Sequence, residues 1–157
     1  MNRIELVVLD FSYWVLANFA IGYLGHRLSA NMVRRTIRFR SVTDLGERVL
    51  RLRRTTKVQR WKHRLPEAGA FFAGGTNKRV LNATSSIAID KLVIEFRRAE
   101  LVHVALCYAW LVPFLFNPIP IALAMGPYVV FANLPCLISL RYGRYRLMIV
   151  GLGRLGK

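Results

Sequence analysis

Apolar positions along the chain gather into three long runs, Ile4–Leu24, Leu101–Phe116 and Ile119–Leu140, separated by basic and polar sequence. A helix that crosses a bilayer needs roughly 20 apolar residues. The first and third runs meet that length; the third carries no charge, and the first carries Glu5 and Asp10 near its start. The second is short before Asn117-Pro118. It completes a span by drawing on Phe96–Glu100, or else it is re-entrant. The pattern predicts a helical hairpin, with the second and third runs joined by a turn at Asn117-Pro118. In lipid every backbone polar group needs an internal partner, so the runs are read as helices. The expected fold is an all-α membrane protein with about three transmembrane helices. An N-terminal transmembrane helix covers 1–26 and a basic amphipathic cytoplasmic or interfacial segment covers 27–94. The transmembrane hairpin covers 95–140 and a basic cytoplasmic tail covers 141–157. Residues 84–100 read as helix that runs straight into the second span.

Charge adds orientation. The 157 residues hold 24 Lys and Arg against 8 acids, a net charge of +16, yet 54% are hydrophobic. A disordered basic tail has low hydrophobicity, so that class is excluded. Residues 26–98 contain 18 Lys and Arg with 5 acids, the tail 141–157 contains 5 with none, and the turn at 117–118 is uncharged. Cytoplasmic loops are enriched in Lys and Arg. Both basic parts are therefore expected in the cytoplasm, and three spans then put the N-terminus outside. A signal peptide would carry its cations ahead of the apolar run, where only Arg3 stands. Cys107 and Cys136 both lie in apolar runs, which excludes a disulfide scaffold and a cysteine-rich zinc site.

Between residues 27 and 64, arginines and lysines interleave with Val33, Ile37, Val49, Leu50, Leu52, Val58 and Trp61. Such a stretch suits anionic lipid, the first expected partner. Nucleic acid is the lesser reading. Pro66, Gly69, Gly74 and Gly75 then break any helix, and the stretch at 74–78 lacks P-loop spacing. Phe71-Phe72 would dip into the headgroup region. Gly151-Leu152-Gly153-Arg154-Leu155-Gly156 fits the dinucleotide fingerprint literally, but no acid follows at the required distance. Asn82-Ala83-Thr84 matches a glycosylation sequon on the expected cytoplasmic side. No nucleophile elbow occurs, and no metal site is expected.

The chemistry-bearing cluster is Glu95-Phe96-Arg97-Arg98-Ala99-Glu100-Leu101-Val102-His103, at the expected cytoplasmic interface. On one helix His103 lies about 80° around from Glu95 and about 60° from Glu100. A carboxylate beside an imidazole fixes its tautomer and raises its basicity. His103 with Glu100 or Glu95 is therefore a candidate general base for a hydroxyl. The alternative reading is interfacial anchoring by ion pairs. Arg97 and Arg98 suit an anionic group. Asn133 either answers the carbonyl that Pro135 leaves unpaired or lines a polar pocket. Arg141 and Tyr142 sit where the third span ends.

Three segments resemble the glycosyl-4,4'-diaponeurosporenoate acyltransferase family: Arg60-Trp61-Lys62-His63-Arg64-Leu65-Pro66-Glu67-Ala68-Gly69, Glu95 through His103, and Ala132-Asn133-Leu134-Pro135-Cys136 followed by Arg141-Tyr142-Gly143-Arg144-Tyr145-Arg146. The resemblance covers most of residues 47–147 and departs from the family pattern at His63, Val104, Leu140 and Gly143. It implies a bacterial inner-membrane protein of carotenoid biosynthesis that moves a fatty acyl chain onto a sugar hydroxyl of a glycosylated carotenoid or similar glycolipid. In that reading His103 is the base and Glu100 or Glu95 its orienter. Arg98, Trp61, Lys62, Asn133, Arg141 and Tyr142 contact substrate. The donor is an acyl thioester, no cofactor is covalently bound, and a carotenoid or lipid is the bound ligand. The departures motivate the alternative of a non-catalytic small subunit of a larger membrane complex, with other membrane subunits as partners.

Overall fold

The structure is a computed structural model and describes residues 2–38, 41–62 and 86–155. Among these the elements are all helical: α1 (Arg3–Arg27), α2 (Ala30–Arg35), α3 (Val42–Thr56), α4 (Val58–Trp61), α5 (Ser86–Ala109) and α6 (Ile119–Leu155), with a 3-10 turn at Val112–Leu115 before α6. Residues 63–85, with the predicted Phe71-Phe72 dip, the turn at 74–78 and the sequon, lie outside the described residues.

The helix starts follow from their caps. The Asn2 Oδ1 accepts from the Glu5 backbone N–H at 2.8 Å, and the Glu5 carboxylate accepts from the Asn2 N–H at 2.9 Å, a closed capping box. Ser29 and Ser41 accept from the N–H groups of Met32 and Asp44 to open α2 and α3.

Three helices are long and apolar enough to cross a membrane, over Arg3–Arg27, Ile87–Leu115 and Ile119–Gly153. The chain is an all-α membrane protein. The second and third form the expected hairpin, and α5 is continuous from Ser86, so the polar helix and the second apolar run are one element. It crosses the expected boundary at 94/95. At about 55 Å, α6 far exceeds a hydrocarbon core of about 30 Å. Its apolar run ends at Leu140, and its last turns carry Arg141, Arg144 and Arg146. Gly151 and Gly153 lie inside α6, with no strand ahead of them.

α1 runs antiparallel to α5. The Tyr13 hydroxyl donates to the Ala109 carbonyl at 2.6 Å, and the Asn117 amide donates to Asp10 Oδ1 at 2.6 Å, at the hairpin end. At the other, basic end, Arg98 Nη2 donates to the Leu28 carbonyl at 2.8 Å and satisfies the exit of α1. Gly25 lets the two helices touch: a Cβ there would stand 2.2 Å from Val102 Cγ2. Gly143 does the same for α5 and α6, where a Cβ would meet Phe96 Cε1 at 2.3 Å.

The basic segment turns part of its apolar stripe inward, while Leu50 stays half exposed. Leu45 of α3 is fully buried in a cluster with Ile89 and Val93 of α5 and Tyr145 and Met148 of α6, and Val49 and Leu52 pack against it. Burying three such side chains contributes several kcal/mol, at about 1.5–3 kcal/mol each when complete. Arg48, on the rim, is held protonated above its ordinary range, first by its hydrogen bond to Asp44 and then by the Tyr145 phenol.

Candidate functional site

Of the polar residues predicted from the sequence, His103, Asn133 and Glu100 lie between α5 and α6, while Arg98 and Trp61 turn to other elements. His103 Nδ1 lies 2.9 Å from Asn133 Oδ1. Asn133 is buried, and its Nδ2 donates to the Val129 carbonyl at 2.9 Å. It therefore does not answer the Phe131 carbonyl that Pro135 leaves without its helical donor. The Val129 carbonyl only accepts, so the amide nitrogen faces it and the amide oxygen faces the ring. That oxygen also only accepts, so Nδ1 carries the hydrogen and a neutral ring keeps its lone pair on Nε2. Nε2 has no hydrogen-bond partner among the described residues.

The carboxylates go elsewhere. Glu100 is fully buried. Its Oε1 accepts from Arg144 Nε at 2.6 Å, and its Oε2 accepts from Arg97 Nη1 at 2.9 Å and Arg144 Nη2 at 3.2 Å. Arg141 Nε stands 3.8 Å from the same Oε2. Glu95 pairs with Arg98. Spacing on α5 suggests either acid as the partner of His103, but the structure gives both to guanidinium groups and gives the ring to Asn133. The physical reason is that a guanidinium offers a carboxylate two charge-assisted bonds in one plane, and a neutral imidazole offers one. An acid taken out of water needs that fuller compensation.

Arg98 bridges Glu95 and Leu28, and its Nε is buried without a partner among the described residues. Arg97 also donates to Thr36 Oγ1 at 3.0 Å, which ties α5 to the end of α2. Tyr142 is buried, and its hydroxyl accepts from Gln59 Nε2 at 2.6 Å. Lys62 Nζ sits 5.4 Å above the Tyr142 ring, a cation–π contact. Trp61 Nε1 donates to the Thr56 carbonyl at 2.8 Å and closes the end of α3. Gln59, Lys62 and Tyr142 thus brace α4 on α6, Trp61 ties it to α3, and Arg141 is a half-exposed cation next to Tyr142 in the chain.

Two residues escape a reading of spacing alone. Arg144 supplies two of the three direct bonds to Glu100; its signal in the sequence is its place three residues after Arg141, on one face of a helix. Gln59 carries no signal of its own.

The fold and site define an integral-membrane protein with a polar, arginine-rich site between its second and third spans, at the end where the charges gather. The chain belongs to the glycosyl-4,4'-diaponeurosporenoate acyltransferase family, whose model matches residues 44–150. It is similar to proteins named glycosyl-4,4'-diaponeurosporenoate acyltransferase from Staphylococcus haemolyticus strain JCSC1435 (28% identical, over 91% of this chain and 83% of the relative) and from Staphylococcus aureus strain bovine RF122 / ET3-1 (29% identical, over 86% and 81%). A third relative of that name, from Staphylococcus aureus strain USA300, is 26% identical over 86% of this chain and 81% of its own. No solved structure matches the chain.

Proposed function

We propose that the protein transfers a fatty acyl group from a thioester donor to a sugar hydroxyl of a glycosylated carotenoid or a similar glycolipid, at the basic end of the helical bundle. The family assignment supports acyl transfer and the glycosylated carotenoid. The observation that carries the catalytic role is the His103–Asn133 hydrogen bond, which holds the ring with Nε2 as a free acceptor. His103 Nε2 takes the proton of the acceptor hydroxyl as its oxygen attacks the thioester carbon. The tetrahedral intermediate collapses with loss of thiolate, which takes the proton back from the imidazolium. The products are an ester and a thiol.

Asn133 is the positioning residue in this reading. Glu100 and Glu95 act one step further out, by fixing the arginines. Arg141 is half exposed, with its terminal nitrogens unbonded among the described residues, and is the contact for the developing oxyanion or the donor. Arg98, with its Nε buried, serves with Glu95 to hold α5 to the end of α1. Lys62 and Trp61 line the approach from α4, with the buried Tyr142 behind Lys62. The basic end faces the cytoplasm under the charge rule, which puts the N-terminus outside and lets a soluble donor meet a lipid-phase acceptor.

Purified protein supplied with a labelled acyl thioester and glycosylated carotenoid tests the reading. Transfer that disappears in His103→Ala supports it. Transfer that survives His103→Ala refutes the base assignment. No transfer by the wild type, with stable co-purification of another membrane subunit, favours the scaffold reading instead.

A further inference from the structure

Beside the site, α3 and α4 enclose an open cleft of about 460 Å³ lined by Leu50, Arg53, Arg54, Lys57, Gln59 and Arg60. Four of the six are cations and none is an acid. Their side chains make no ion pair among the described residues, although Arg34, Arg48, Arg97, Arg98, Arg141 and Arg144 all do. Lys57, at the junction, has φ 49° and ψ 33°, left-handed values that a non-glycine residue rarely adopts. That turn brings Arg53 and Arg54 of one helix and Arg60 of the next around one depression. Uncompensated like charges held together at a backbone outlier are an arrangement expected of an anion site.

We propose that this cleft binds the phosphate groups of a soluble acyl thioester of the phosphopantetheine type and is the docking site of the donor. The proposal rests on the acyl-transfer reading above. Three observations favour a soluble phosphate ester over a lipid headgroup. A helix that lies on lipid inserts its apolar face, and the apolar face of α3 is already occupied by Leu45, Val49 and Leu52 against α5 and α6. Leu50 and Arg54 lie about 140–180° around α3 from Leu45, turned from that core, and Arg53 lies on the flank at about 80°. The cations also surround a depression of small-molecule size, where a headgroup layer would call for a flat face. The cleft adjoins the basic end of α6, because Gln59 in the cleft bonds the buried Tyr142. From Tyr142 back to Asn133 is about 14 Å of helix rise. A donor anchored here by its phosphates must reach that distance with its thioester, which is the task a pantetheine arm performs.

Calorimetric titration of coenzyme A into the full-length chain, in phosphatidylcholine nanodiscs, tests the proposal without turnover. The expected result is one-site binding that weakens as salt is added, is weaker for dephospho-coenzyme A, and loses about tenfold or more in Arg54→Gln/Arg60→Gln. Thermal unfolding of that variant should match the wild type, because neither side chain is bonded among the described residues. His103→Ala should bind coenzyme A as tightly as the wild type while losing transfer. Absent binding, or equal binding by wild type and double variant, overturns the cleft. So does Arg54- and Arg60-dependent enrichment of phosphatidylglycerol in the co-purified lipid without coenzyme A binding, which would assign the cleft to headgroups. Coenzyme A binding in a protein that shows no transfer refutes the catalytic reading alone.

Discussion

Glu100 and Arg144 meet across the hairpin, 44 residues apart in sequence, through bonds of 2.6 and 3.2 Å with both side chains buried. Arg97 closes the acid from its own helix. This knot fixes the rotation of α5 against α6 at the level where their apolar runs end. It thereby helps set where His103, under a turn further along α5, meets Asn133, about three turns back along α6.

Breaking the knot from one side leaves a buried charge unpaired. Glu100→Gln is expected to cost about 3–5 kcal/mol, read as a fall in unfolding temperature in detergent. Glu100→Leu combined with Arg144→Met should be nearer the wild type than either single change. Additive losses would show that the two side chains do not act as a pair.

The His103–Asn133 contact serves both chemistry and packing. His103→Ala is expected to lower kcat by about 10²–10⁴-fold, with a stability loss of about 1–3 kcal/mol from the Asn133 oxygen left unpaired. Asn133→Leu removes the acceptor from Nδ1 and frees the ring to turn and to change tautomer, so kcat should fall by about 10²-fold with KM little changed. An unchanged kcat would detach Asn133 from the base.

Close helix contact at Gly143 predicts a packing penalty. Gly143→Ala puts a methyl 2.3 Å from Phe96 Cε1, and the expected cost is about 1–3 kcal/mol by chemical or thermal unfolding. Phe96→Leu in the same chain should recover much of it. A neutral Gly143→Ala would mean that the helices part more readily than the contact suggests.

Orientation follows from where the cations lie. A fluorescent-protein fusion after α6 is expected to glow and a periplasmic phosphatase fusion at the same place to be inactive, with the reverse for fusions ahead of α1. The opposite pattern would place the arginine-rich site on the outer face.

The three spans, the hairpin break at Asn117-Pro118 and the continuity of the helix from Ser86 into the second span are legible in the sequence, because hydropathy, proline and charge act locally and add along one chain. The clustering of Glu95, Arg98, Glu100 and His103 is legible for the same reason, since one helix fixes their relative angles. Other features are set between helices. That α3 turns Leu45 onto Tyr145 and Met148, that Glu100 takes Arg144, and that His103 takes Asn133 all depend on how α5 rotates against α6. A helical wheel gives directions around one axis only. The sequence by itself determined an all-helical membrane chain with its cations at one end. Tertiary packing decided which acid met which arginine and which atom faced the imidazole, because a buried charge takes the partner that compensates it most fully and leaves the ring to the neighbour that remains.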